Sequence, residues 1–159
     1  MLSRGAARGF TIVELLVTLV IVGVLASAAI PMAELSVRRS KEQELRASLR
    51  EMRTAIDAYK RAVDEGRVSI GVNESGYPRT LEVLVEGVRD AKSPGGARIY
   101  FLRRIPRDPF AGSEDAGSGA WGKRSYASTH EEPHEGVDVF DVYSMAPGVG
   151  LNGIAYREW

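Results

Sequence analysis

Few stretches of this chain carry residue types able to do chemistry. His130-Glu131-Glu132-Pro133-His134 satisfies H-E-x-x-H, in which two histidines one turn apart hold zinc and the glutamate serves as general base. That mechanism needs both imidazoles on one face of a continuous helix, and Pro133 inside the motif breaks the turn that would align them. With Ser128, Thr129 and Gly136 alongside, the segment reads as an exposed polar loop, ahead of an adventitious metal clip and of a periplasmic zinc hydrolase. Asp108, Glu114 and Asp115 form an acidic loop that could hold a hard cation, although solvation alone accounts for it. Gly117-Ser118-Gly119 lacks the following Gly-Lys-Ser/Thr of a phosphate-binding loop. Cysteine is absent, which excludes a disulfide framework and thiolate chemistry. Basic and acidic residues number 21 each, leaving no net charge to hold nucleic acid. One further carboxylate, Glu14, stands inside an apolar run.

A charged side chain costs about 2.5–3.5 kcal/mol at the centre of a membrane helix on insertion scales, and less toward an end. Glu14 therefore needs a reason. Residues 1–9 are short and polar, with Arg4 and Arg8 as their only charged side chains, and residues 10–30 are predominantly apolar. At about 1.5 Å per residue, roughly 20 helical residues cross the ~30 Å hydrocarbon core, so this run just reaches. Arg4 and Arg8 belong on the cytoplasmic side, which sends everything after Pro31 outward. A secretory signal cut at Ala26-Ser27-Ala28 competes with this reading, but it gives Glu14 no task.

Arg8-Gly9-Phe10-Thr11-Ile12-Val13-Glu14-Leu15-Leu16-Val17 resembles the class III signal of type IV pilins and type II secretion pseudopilins. The shared features are a Gly-Phe junction, a glutamate at the fifth residue of the mature chain, and an apolar helix ending at Pro31. The resemblance implies cleavage after Gly9 by an inner-membrane prepilin peptidase and N-methylation of the new terminus at Phe10. It also implies that Glu14 helps set subunit register in filament assembly. Physics agrees, since a carboxylate among apolar helices is relieved by pairing with a neighbour's terminal ammonium.

Gly23 and Pro31 weaken the helix, so a kink or local melting is expected between them. Beyond, Leu45, Leu49, Met52, Ile56, Tyr59 and Val63 alternate spacings of four and three, the seam of an amphipathic helix. The i,i+4 pairs Glu42–Arg46 and Asp57–Arg61 are assigned to the solvated side, as is the cluster Arg38, Arg39, Lys41, Glu42 and Glu44. Gly66 is the expected stop. A loop follows over 67–77, then a short helix over 80–86 with Thr80 as N-cap and Gly87 near its end. Pro94-Gly95-Gly96 marks a turn, residues 98–105 are extended, and 125–129, 137–144 and 154–159 are strand candidates. The expected class is α+β, a long kinked N-terminal helix packed on a small antiparallel sheet of about three strands. Its divisions are a leader over 1–9, a transmembrane and filament-core helix over 10–31, and a periplasmic head over 32–159. The head's helix covers 32–65, and the loop, short helix and sheet cover 66–159.

Tyr77-Pro78-Arg79-Thr80-Leu81, Arg103-Arg104-Ile105-Pro106-Arg107-Asp108-Pro109-Phe110, Trp121-Gly122 and Val139-Phe140-Asp141-Val142-Tyr143-Ser144 together resemble the layout of the major pseudopilin of type II secretion. The resemblance implies a structural subunit and not an enzyme, anchored by a single pass in the bacterial inner membrane with its head in the periplasm. It would polymerise into a short pseudopilus that drives folded proteins through an outer-membrane secretin. Implied partners are further copies of the chain, minor pseudopilins, the inner-membrane assembly platform and the prepilin peptidase, with no nucleic acid. A true type IV pilus subunit for adhesion, motility or DNA uptake is the alternative. Major pseudopilins usually carry calcium in the loop before the last strand. Here residues 144–153 contain no Asp or Glu, and Asn152 with backbone carbonyls makes a poor cage. No cofactor is expected on that ground, and Asp108, Asp115 and Asn152 are the candidate ligands if calcium does bind.

Overall fold

The computed structural model describes residues 9–112 and 117–159. Helix α1, Ile12–Asp64, is its longest element. Thr11 starts it, accepting the Glu14 N–H on Oγ1 at 3.2 Å and the Leu15 N–H on its carbonyl at 3.1 Å. This is the N-cap arrangement that satisfies donors with no partner inside the helix. Gly66, at φ 69°, stops it. Its N–H reaches the Val63 carbonyl while Arg67 N–H reaches Ala62, the paired bonds of a Schellman turn. The helix is uninterrupted through Gly23 and Pro31.

The chain forms two compact units that divide between Ser40 and Lys41. In the first, the side chains of residues 9–27 and 30–40 are all exposed, large apolar ones included. In the second, α1 buries Leu45, Leu49, Met52, Ile56 and Tyr59, with Val63 partly covered, as the seam predicts. Each fully buried aliphatic side chain contributes about 1.5–3 kcal/mol. Leu81, Leu84, Leu102, Trp121, Val139, Val142 and Tyr156 are among the residues that join them in this core.

The head is α+β, but its described residues form two two-stranded antiparallel sheets, and not the expected single sheet of about three strands. After α2, Glu82–Glu86, strand β1, Val88–Arg89, pairs with β2, Arg98–Ile99. Strand β3, Trp121–Arg124, pairs with β4, Asp141–Ser144, placing Gly122 opposite Tyr143. The expected extension to Ile105 fails because the N–H groups of Phe101 and Leu102 both turn to the Leu84 carbonyl on α2, at 3.0 Å each. The strand expected over 137–144 begins late because Val139 N–H goes to the Pro78 carbonyl at 2.8 Å, while Val137 is exposed. Residues 125–129 form a turn, closed by Ser128 N–H on the Ser125 carbonyl at 3.1 Å. Residues 154–159 hold one bridge, Val149 to Ala155, and a 3-10 turn at Tyr156–Glu158. Thr80 does not cap α2, whose N-cap position is Leu81 without a side-chain bond, whereas Gly87 ends it at φ 74°. A Cβ at Gly87 would lie 2.8 Å from the Tyr100 ring.

Candidate assembly and processing site

Gly9, Phe10, Glu14, Gly23 and Pro31 fall on one segment, the last three within α1. Gly9 and Phe10 precede the cap, and Phe10 is 76% exposed. Thr11-Ile12-Val13-Glu14 has the T-x-x-E spacing of a capping box, of which the Thr11 Oγ1 to Glu14 N–H bond forms one half. Thr11 has no place among the sequence-derived site residues, and this spacing ahead of an apolar run is the signal that finds it. Glu14 is exposed in the first turn, where the positive end of the helix favours an anion.

Further along, the Thr18 hydroxyl donates to the Leu15 carbonyl at 2.9 Å and the Ser27 hydroxyl to Val24 at 2.7 Å. Local bonding of this kind lets hydroxyls sit in hydrocarbon. The most apolar 18-residue window of α1 has mean hydropathy 2.5 and no buried residue, so the helix is long and apolar enough to cross a membrane. An apolar surface of this extent must be covered by something outside the subunit, either lipid or other helices.

The head's polar residues are arranged for anchoring. Arg53 on α1 donates to the Asp141 carboxylate at 2.7 Å, to the Val142 carbonyl at 3.1 Å and to Trp159 O at 2.6 Å, joining α1, β4 and the C-terminus. Asp108 is fully buried, accepting Phe110 N–H at 2.8 Å and the Ser144 hydroxyl at 2.5 Å. This corrects the expectation of a solvated acidic loop at that residue. Glu114 and Asp115 lie outside the described residues, as do Arg4 and Arg8. Glu42 is also a correction, since it is 4% exposed and accepts Leu151 N–H at 2.8 Å and the Tyr156 hydroxyl at 3.1 Å, when a place on the solvated face was expected. Lys41 and Arg46 lie over the Phe110 and Trp159 rings at 5.8 and 4.2 Å.

Residues 129–137 form an exposed loop without a helical turn, so His130 and His134 are not presented as in a zinc peptidase. The His134 ring comes only within 3.9 Å of Glu132. Among the described residues no group of three or more His, Cys, Asp and Glu could hold a metal ion. The open groove lined by His130, Arg53, Arg124 and Asp141 offers no nucleophile beside a base.

An exposed apolar helical segment preceded by a Gly-Phe junction, in a chain whose second unit is α+β, is the pattern of a type IV pilin-like subunit. The prokaryotic N-terminal methylation motif matches residues 4–30. Type II secretion system core protein G of Klebsiella michiganensis is 30% identical over 115 residues, covering 70% of this chain and 73% of that protein. The same-named protein of Klebsiella pneumoniae is 30% identical over 139 residues, covering 85% and 83%, and that of Dickeya chrysanthemi 28% over 137 residues, covering 84% and 74%. No solved structure gives a significant match. The chain belongs to the type II secretion system core protein G family. Its motif and single N-terminal apolar helix fit a single-pass inner-membrane protein of that system.

Proposed function

We propose that the chain is the polymerising subunit of a periplasmic pseudopilus, matured by cleavage between Gly9 and Phe10 and by N-methylation of Phe10. It rests in the inner membrane through residues 10–31 with its head in the periplasm, and on assembly those helices exchange lipid for one another. Minor pseudopilins, the assembly platform and the prepilin peptidase are the partners this reading requires, and folded exported proteins are what the growing filament drives outward. Gly23 and Pro31 give the helix a weak point for that exchange, because Pro31 lacks the N–H that would bond the Ser27 carbonyl.

The observation carrying the proposal is the stretch of α1 over residues 12–40, in which every described apolar side chain is uncovered and one carboxylate stands in the first turn. Mass spectrometry of the membrane-extracted protein is the test. The expected N-terminus is methylated Phe10 with the apolar helix retained, and Gly9→Val should leave the leader attached. A soluble species beginning at Ala29 would establish an ordinary secretory signal instead.

A further inference from the structure

The loop over 148–156 turns two donors onto a carboxylate of α1 and commits several of its oxygens to bonds at its own end of the head. Leu151 N–H and the Tyr156 hydroxyl converge on one oxygen of Glu42, at 2.8 and 3.1 Å, and both Glu42 and Tyr156 are buried. The Gly150 carbonyl takes Gly153 N–H at 2.9 Å, and the Gly148 carbonyl takes Tyr156 N–H at 3.3 Å. The Ile154 carbonyl takes Gly150 N–H at 2.8 Å and the Trp159 indole N–H at 3.2 Å. Asn152 Oδ1 is engaged by Ile154 N–H at 3.1 Å. Trp159 closes the loop tightly, for a Cβ at Gly150 would lie 2.3 Å from its ring. Tyr156 stacks on Phe110 at 4.4 Å and meets Trp159 edge-on at 5.1 Å.

A calcium site has the opposite polarity. It directs six to eight oxygens at a common centre, usually with carboxylates among them. This loop directs N–H and O–H groups at a carboxylate, its side-chain oxygen at Asn152 is already bonded, and Asp108 is buried against Phe110 and Ser144. Among the described residues, those of this loop and Asp108 do not fit the ion that the family resemblance implies.

We propose that the Glu42 carboxylate takes the place of calcium as the anchor of the C-terminal loop, tying it to α1, so that the head is stable without the cation. Glu42 is a positioning residue in this account. Removing it takes away the carboxylate that accepts from Leu151 N–H and the Tyr156 hydroxyl, and losing hydrogen bonds to a charged, buried acceptor is costly.

The test uses the full chain in detergent, with calcium chloride or a chelator as the only variable, and two readouts. One is the melting temperature; the other is carboxypeptidase trimming of Trp159, followed by intact mass, which reports local opening around this loop. Wild type should give the same values with and without calcium. Glu42→Ala should speed trimming roughly tenfold or more, as expected for loss of one buried and one partly buried hydrogen bond to a carboxylate, and lower the melting temperature by about 5 °C or more, whatever the calcium concentration. Tyr156→Phe keeps the ring and removes one donor, so it should give a smaller rise in trimming with little risk to folding, and it decides the matter if Glu42→Ala fails to fold. Calcium that raises the wild-type melting temperature, reversibly with chelator, would overturn the proposal. So would unchanged trimming in Tyr156→Phe. Both readouts concern the lone subunit and leave the assembly reading to its own test.

Discussion

At the scale of single residues, the head holds carboxylates that folding makes harder to protonate. Burial pushes the Asp138 carboxyl up, but bonds from the Ser125 and Ser75 hydroxyls and from Tyr126 N–H outweigh it and hold the group below its ordinary value of 3.8. The Arg67 guanidinium, helped by Lys92 N–H, holds Asp90 down, and Arg79 with Gly71 N–H does the same for Glu74. A depressed pKa means that the unfolded chain binds more protons at acid pH. These groups therefore stabilise the fold above their unfolded values, and that contribution disappears as pH falls through the folded ones. The melting temperature should be level from neutrality to about pH 5 and decline below about pH 4. Asp138→Asn should lower the plateau and flatten the decline, because the difference between variant and wild type vanishes once Asp138 is protonated. A melting temperature that stayed constant through that acid range would show that these bonds carry no net stability.

Secondary elements differ in how much of their reason is local. Helix α1 was legible because its seam repeats through six apolar positions and because Gly66 and the Gly-Phe junction mark its ends. Glu42 was not, although it extends the same seam by three residues ahead of Leu45. It stands in a polar stretch with Lys41, Gln43 and Glu44, and its donors lie 109 and 114 positions away. The strands were the hardest. Strands β1 and β2 are two residues each, and Trp121-Gly122-Lys123-Arg124 has no alternation to announce β3. What makes β3 a strand is its partner, for the Tyr143 ring crosses Gly122 so closely that a Cβ there would sit 2.2 Å from Cε2. Gly122→Ala should accordingly cost about 1–3 kcal/mol through overpacking, measured by denaturant unfolding of the full chain. Gly119→Ala, where a Cβ meets nothing within 4 Å, is the control and should stay within about 0.5 kcal/mol. Equal stability of the two variants would mean that the ring swings aside at no cost.

For the whole molecule, the exposed helix surface and the one acid at its start make sense only in company. On the function proposed above, Glu14 and the Phe10 amine of the lone membrane-embedded subunit lie near the interface, where water, headgroups and snorkelling limit the cost of charge. A filament replaces that setting with apolar helices, so each charge should stabilise assembly only on meeting an opposite one in a neighbouring copy. Removing one member of a buried pair typically costs about 3–5 kcal/mol. Glu14→Leu should therefore leave cleavage, membrane insertion and head folding intact while strongly impairing polymerisation and secretion. Charge should matter more than size, so Glu14→Gln should fail nearly as badly. The Thr11 cap makes a further distinction possible. Thr11→Ala removes the hydroxyl that accepts Glu14 N–H and should cost about 1 kcal/mol of helix stability, yet it keeps the carboxylate, so assembly should be weakened and not abolished. Filament yield, counted in cells that express each variant without wild-type copies, reads the series directly. Normal filaments from Glu14→Leu would remove this residue from assembly, and a Thr11→Ala defect as deep as that of Glu14→Leu would shift the explanation from pairing of charges to the start of the helix.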